Sequence, residues 1–422
     1  MNRALTNKIL ITLAFLFAYR VLAYVPVPGV NADVIAEFFN NNQNNALGLF
    51  NVFSGGAAER FSIISLGIMP YITASIIMEL LAATFPNIGK MKKERDSMQK
   101  YMQIIRYATI VITLVQSIGG VAIGLQSLHG RGGAGAIMVE DLNMFIALCA
   151  ISMLAGTMLL MWLGEQITQR GIGNGISLII FAGIVSGIPR AISGTVGQIN
   201  SGEMNFLTAF AIFALILITI GVIIYIELGE RRIPISYSRK VVMQNQNKRI
   251  MNYIPIKLNL SGVIPPIFAS AILMFPTTIL QTSTNPYLQA INDFLNPNGY
   301  LFHVLTFLFV IFFAYFYASI VFNAKDIAEN LKKQGGFIPG IRPGEGTSSY
   351  LNEVASRLTL SGSIYLGLVA TLPWVLVKFM GVPFHFGGTS VLIVVQVALD
   401  TMRKIEAQIY MSKYQTLSAV GL

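Results

Sequence analysis

The chain has 422 residues, of which 54% are hydrophobic and 11% charged, with a formal net charge of +10 and a single cysteine. That charged share is roughly half the soluble-domain average, which excludes an ordinary globular protein and marks a membrane protein. A lone Cys149 inside an apolar run also excludes a disulfide framework and a cysteine-based metal site.

Ten runs are long enough to cross a bilayer core of about 30 Å as helices. They fall near residues 8–25, 61–85, 104–126, 142–163, 173–190, 206–228, 260–281, 301–322, 358–378 and 389–410. The first resembles a signal peptide, with Lys8 ahead of an apolar core. Arg20 interrupts the region where cleavage would fall and no A-x-A site follows, so it reads as a retained span.

The second run changes solvent along its length. Gly55, Gly56, Glu59 and Arg60 belong to water, whereas residues 61–78 carry no charge and suit hydrocarbon. Pro70 inside the apolar part predicts a kink. A glycine-hinged segment folding back onto a kinked span describes a movable stopper; an ordinary outer loop leading into a helix is the alternative. The fifth run carries Gly171, Gly173, Gly175, Gly183 and Gly187, small residues that let a neighbouring backbone approach, so it is expected inside the bundle.

Charge fixes orientation. With both termini cytoplasmic, the outer side holds only Arg20, Arg60, Arg131, Arg190 and Lys378 of the 29 lysines and arginines, and alternate loops obey the positive-inside rule. Two inner loops, near residues 229–257 and 323–357, are much longer than helix connections need. The first carries Arg231, Arg232, Arg239, Lys240, Lys248, Arg249 and Lys257; topogenesis alone accounts for charge of that sign, but not for the length. The second holds Arg342 between two Pro-Gly pairs, a stiff turned tip. Partner docking accounts for both loops better than tethering does.

Inside the spans, little chemistry can be assembled. There is no H-E-x-x-H, G-x-S-x-G or Walker lysine, and His129, His303 and His385 lie far apart. Gly171, Gly173 and Gly175 imitate a dinucleotide loop without its strand or its acid. Glu79 falls toward the inner end of its span and Asp400 is expected to pair with Arg403 one turn on. The spans offer proline kinks at Pro70, Pro265, Pro266, Pro276 and Pro373, yet no midplane acid of the kind most ion-coupled carriers keep. Neither an enzyme nor a cofactor is implied.

What remains is a set of isoleucines. Ile68 and Ile72 are four apart in the second run, Ile176 and Ile180 repeat that spacing in the fifth, Ile267 follows the double proline of the seventh, and Ile393 opens the tenth. Four helices could aim these stiff side chains at one axis, forming a dry constriction. The same spacing also occurs on lipid-facing surfaces.

Five stretches, NVFSGGAAERFSIISLGIMPYITASII, GTMLLMWLGEQITQRGIGNGIS, GVIPPIFAS, NLKKQGGFIPGIRPGEGTS and VPFHFGGTSVLIVV, closely resemble the SecY family of bacterial protein-conducting channels, across essentially the whole chain. The resemblance implies an all-α polytopic membrane protein of ten transmembrane helices in two pseudosymmetric halves of five, residues 1–190 and 191–422. It puts the pore ring on Ile68, Ile72, Ile176, Ile180, Ile267 and Ile393. It puts a plug near residues 47–60, including Asn51, Phe53, Ser54, Gly55, Gly56 and Arg60, and a side exit between the second and third spans and the seventh and eighth, with Gln116 and Asn259 along the seam. It implies the small subunits SecE and SecG, the motor ATPase SecA or the ribosome docking on the basic loops, with Arg342 important for export, and secretory and signal peptides as substrate in a bacterial plasma membrane. A secondary transporter of a small solute is the alternative that ten spans and proline kinks also fit, and an intramembrane enzyme a more distant one.

Overall fold

The structure, a computed structural model, describes residues 3–41, 51, 54–94, 96–122, 137–139, 141–202, 204–237, 253–281, 287, 295, 299–380 and 388–419. In chain order the helices are α1 (Arg3–Leu22), α2 (Ala32–Asn41), α3 (Met69–Thr84), α4 (Pro86–Lys93), α5 (Met98–Gln116), continued by a π turn (Ser117–Ala122), α6 (Leu142–Arg170), α7 (Gly175–Val185), α8 (Ile188–Asn200) and α9 (Phe206–Leu228). Three strands follow, β1 (Glu230–Pro234), β2 (Ser236–Tyr237) and β3 (Tyr253–Lys257), then α10 (Ile264–Gln281), α11 (Tyr300–Val321), α12 (Ala324–Lys333), β4 (Gly336–Phe337), α13 (Glu345–Met380) and α14 (Gly388–Ala419).

A helix falls on each of the ten predicted runs. Among the described residues six helices are long and apolar enough to cross a membrane, and α3 with α4, bent by 118°, makes a seventh if the pair is one span. The other three runs coincide with α10, α13 and α14, which do not reach that length and apolarity among the described residues.

The second span departs from expectation. Residues 61–68 are turns, and the helix starts only at Met69. Its 16 residues reach about 24 Å, short of a bilayer core. Hydropathy reports only that residues 61–68 avoid water; it does not report what their backbone does. Ser62 Oγ donates to Leu22 O at 2.8 Å, Ile63 N to Val25 O at 3.0 Å, and Gly67 sits at φ 58°. Irregular backbone at membrane depth survives only where protein covers it, and here α6 does: a Cβ on Gly156 would stand 2.0 Å from Ile63 O. Pro70 is consequently no mid-helix kink. It occupies the first turn of α3, where the missing N–H has no partner to lose. Pro265 and Pro266 likewise fall in the first turn of α10, and α10 and α13 run past Pro276 and Pro373 unbroken.

One apolar cluster organises the membrane part, joining residues of α1, α3, α5, α6, α7, α9, α10, α11, α13 and α14. The glycine-rich α7 is interior as expected: a Cβ on Gly175 would meet Gly164 O of α6 at 1.9 Å. Beyond α9 the all-helical expectation is amended. Strand β1 pairs antiparallel with β3, setting Ile233 opposite Ile254, and β2 pairs with β4, setting Ser236 opposite Phe337. Each strand of the first pair turns one isoleucine inward, Ile233 and Ile256, and these pack with Ala324, Leu331, Ile338 and Leu351. The two long basic loops thus build one small domain with a core of its own.

Candidate functional site

All six isoleucines belong to the central cluster. Ile68, Ile72, Ile180 and Ile393 are 3%, 8%, 5% and 1% exposed, and Ile176 and Ile267 pack half-buried against the same group. Four elements deliver them: Ile68 caps α3 and Ile72 lies in its first turn, Ile176 and Ile180 lie in α7, Ile267 in α10 and Ile393 in α14. Burial of each such side chain contributes about 1.5–3 kcal/mol without directional contacts.

Ile180, Ile267 and Ile393 line a cavity of about 370 Å³. Its other walls mix apolar side chains, Leu260, Val263, Ile264, Val321, Val397 and Leu399, with polar ones that include Asn174, Ser177, Glu227, Lys257, Asn259, Ser261, Gln396, Asp400 and Arg403. Lys257 ends the basic loop and Asn259 follows it, so these lining residues lie at the cytoplasmic ends of the spans.

Asn259 is 4% exposed and fully engaged. Its Nδ2 donates to Glu227 Oε1 at 2.6 Å and to Gly262 O at 3.2 Å, and its Oδ1 accepts from Ser261 Oγ and Gly262 N. Gln116 ends α5, which starts on the cytoplasmic side, so it stands at the opposite face of the membrane from Asn259. The structure does not gather the two, although α10 packs on both α3 and the π turn that follows Gln116. Asp400 pairs with Lys404 at 2.8 Å rather than with Arg403, whose Nη2 donates to Glu227 O at 3.2 Å. Helix α14 turns both basic residues of its first inner turn to different neighbours, which one-turn spacing does not resolve. Glu79 finds Lys92 across the α3–α4 bend at 3.3 Å.

At the outer mouth, residues 54–61 form a chain of turns with Gly55 at φ 67°, Gly56 at 81° and, among the described residues, the one positive-φ non-glycine, Phe61, at 48°. Gly55 lies so close to α7 that a Cβ would stand 2.7 Å from both Gly183 Cα and the Tyr19 hydroxyl. Arg20 Nη1 donates to Gly55 O at 2.9 Å, and Tyr19 OH donates to Ser54 O at 3.4 Å. Ser54 Oγ accepts from Ala58 N at 3.1 Å, and Arg60 stacks over Tyr24 at 4.0 Å. Asn51 brackets Glu59, accepting from its N–H at 3.0 Å and donating to its carboxylate at 3.2 Å. Phe53 and residues 47–50 of the expected plug lie outside the described residues.

Two groups here escaped the sequence reading. Glu59 is 5% exposed and is paired with Arg190 of α8. Glu227 is 6% exposed and anchors Asn259. An acid inside a glycine-rich or apolar stretch was the available signal; in sequence Glu59 reads as a residue in water.

On the cytoplasmic domain, Arg231 and Arg232 are exposed on β1, with Arg232 held by Glu230 at 2.7 Å and stacked on Tyr253. Arg342 is exposed between Gly340 at φ 83° and Gly344 at φ 97°, its carbonyl accepting from Thr347 Oγ1 at 3.1 Å. Arg239, Lys240, Lys248 and Arg249 lie outside the described residues.

Comparisons with known proteins agree with this architecture. The sequence profile of the SecY family matches residues 62–402. The chain is 71% identical over 422 residues to a protein translocase subunit SecY of Helicobacter pylori (strain ATCC 700392 / 26695), covering all of both chains. It is 41% identical to the protein translocase subunit SecY of Escherichia coli (strain K12), over 98% of this chain and 93% of that protein. Among solved structures, a protein-conducting channel superposes with a TM-score of 0.68 at 20% identity over 96% of this chain and 93% of that one. Sec61 from a canine ribosome-channel complex superposes with a TM-score of 0.65 at 18% identity over the same shares.

Proposed function

The chain belongs to the SecY family, and from that premise we propose that it is the protein-conducting channel of a bacterial plasma membrane, passing unfolded secretory polypeptides outward and releasing apolar segments sideways into lipid. One observation carries the reading: six isoleucines from four helices belong to one buried apolar cluster, and three of them, Ile180, Ile267 and Ile393, line a cavity that also holds Lys257, Asn259 and Asp400.

The cavity offers an entering chain hydrogen-bond donors, acceptors and both signs of charge, so peptide backbone exchanges water for protein at little cost. At its floor the isoleucines exclude water and ions by shape and dryness and part around an extended chain. The plug, expected near residues 47–60, stands behind them, its described residues 54–60 turning on Gly55 and Gly56. The side exit runs where α10 meets α3 and the π turn, between the halves 1–190 and 191–422. Gln116 borders that seam near its outer end, and Asn259 sets the angle at which α10 enters the membrane.

The work of transport comes from partners. SecA or the ribosome docks on the cytoplasmic domain through Arg231, Arg232 and Arg342 together with the basic residues 239, 240, 248 and 249, and SecE and SecG complete the membrane complex. A precursor stalled midway, crosslinked through cysteines placed singly at the six isoleucine positions, tests the assignment. All six positions are expected to capture it; capture at lipid-facing Phe210 or Ile218 instead of the six would overturn it.

A further inference from the structure

We infer that the Glu59–Arg190 ion pair is the latch that keeps the plug seated, and that it ties the plug to the joint between the two halves of the molecule; the inference rests on the channel reading above.

Glu59 is the one acid in the turn segment 54–61, and its side chain is 7% exposed. Such a carboxylate is tolerable only when paired and hydrogen-bonded. Arg190 supplies the charge, while Asn51 takes the Glu59 N–H and donates to the carboxylate oxygen that Arg190 also contacts. Among the described residues, the segment's hydrogen bonds to α1 and to Ser186 at the end of α7 are accepted by the backbone carbonyls of Ser54 and Gly55. Those carbonyls would exchange protein for water readily on leaving; Glu59 would leave behind a guanidinium and carry off a charge.

Where the arginine sits gives the pair its second role. Arg190 is the third residue of α8, which follows a break at Ser186–Gly187 after α7 and leads into α9. No residue of α8 is buried, so no apolar core fixes the helix beyond that break. The halves divide near residues 191–205, and the arginine stands at their joint. A rotation of one half against the other therefore moves the guanidinium relative to the plug, and the outer mouth is released when the joint flexes.

The test uses native membrane vesicles carrying the assembled complex, read by ion leak at rest and by transport of a secretory precursor. Arg190→Ala is expected to raise the resting leak about fivefold. Arg190→Lys, which keeps the charge, should stay within about twofold of the parent. Glu59→Gln combined with Arg190→Ala should leak no more than Arg190→Ala alone, because the two changes remove one interaction. A parental leak in Arg190→Ala, or leaks that multiply in the double variant, would overturn the latch.

A second measurement does not depend on tolerance of the alanine. Cysteines at 59 and 190 are bridged by a reducible bifunctional thiol reagent from the outer side; buried Cys149 stays unlabelled. The bridge should stop precursor transport and reductant should restore it. Failure of the bridge to form, or full-speed transport through the bridged complex, sinks the proposal. Absence of precursor transport in parent vesicles would count instead against the channel reading itself.

Discussion

Under the proposed function, the isoleucine collar and the seat of the plug close the same passage with opposite chemistry. The collar has six branched apolar side chains and no hydrogen bond between them; the seat, within ten residues, uses an ion pair, a cation stacked on Tyr24 and carbonyls held by Tyr19 and Arg20. Dispersion and dewetting change gradually as side chains slide, so a collar of this kind closes around whatever threads it. Directional bonds are made or lost, so the seat has two positions. One region seals continuously and the other switches.

That contrast breaks most visibly if the collar is emptied. With Ile72, Ile180, Ile267 and Ile393 replaced by glycine, loss of about 3 kcal/mol of dewetting barrier should raise resting ion conductance in planar bilayers on the order of a hundredfold. Parental conductance would remove the collar from the mechanism. Arg342→Glu should lower motor-driven precursor transport about tenfold while leaving resting leak untouched, since the tip lies on the cytoplasmic domain, away from both closures. A leak from that variant would mean the domain and the closures are not separable. Gly55→Val adds a side chain where a Cβ already comes within 2.7 Å of Gly183 Cα, at a φ of 67° that valine resists, so the plug should unseat and leak rise about fivefold. Tyr19→Phe deletes one long hydrogen bond of 3.4 Å to the seat and should change leak by no more than about twofold. A large effect there would move the switch from Glu59 to Tyr19.

The sequence reached these two regions unequally. Isoleucine spacing of four put Ile68 with Ile72 and Ile176 with Ile180 on common faces, and helical geometry does the rest once the helices are placed. The seat was legible only as glycines and charges near water. Glu59 and Arg190 are 131 residues apart, and no local pattern joins them. Asp400 shows the converse failure: helical spacing permits Arg403 or Lys404, and tertiary packing took Arg403 to Glu227 and left the local pair with Lys404.

Composition and charge by themselves determined that this is a polytopic membrane protein, which runs must be apolar, which loops are cytoplasmic and which long loops exceed a connector's needs, because burial in lipid and the positive-inside bias act residue by residue. They could not determine that residues 61–68 abandon the helix, that Pro70 starts one instead of bending it, or that two basic loops share a core of Ile233, Ile256 and Leu351. Those outcomes depend on what covers each backbone group. Only the packed chain shows α6 lying over Ile63 and α8 bringing an arginine to a buried acid.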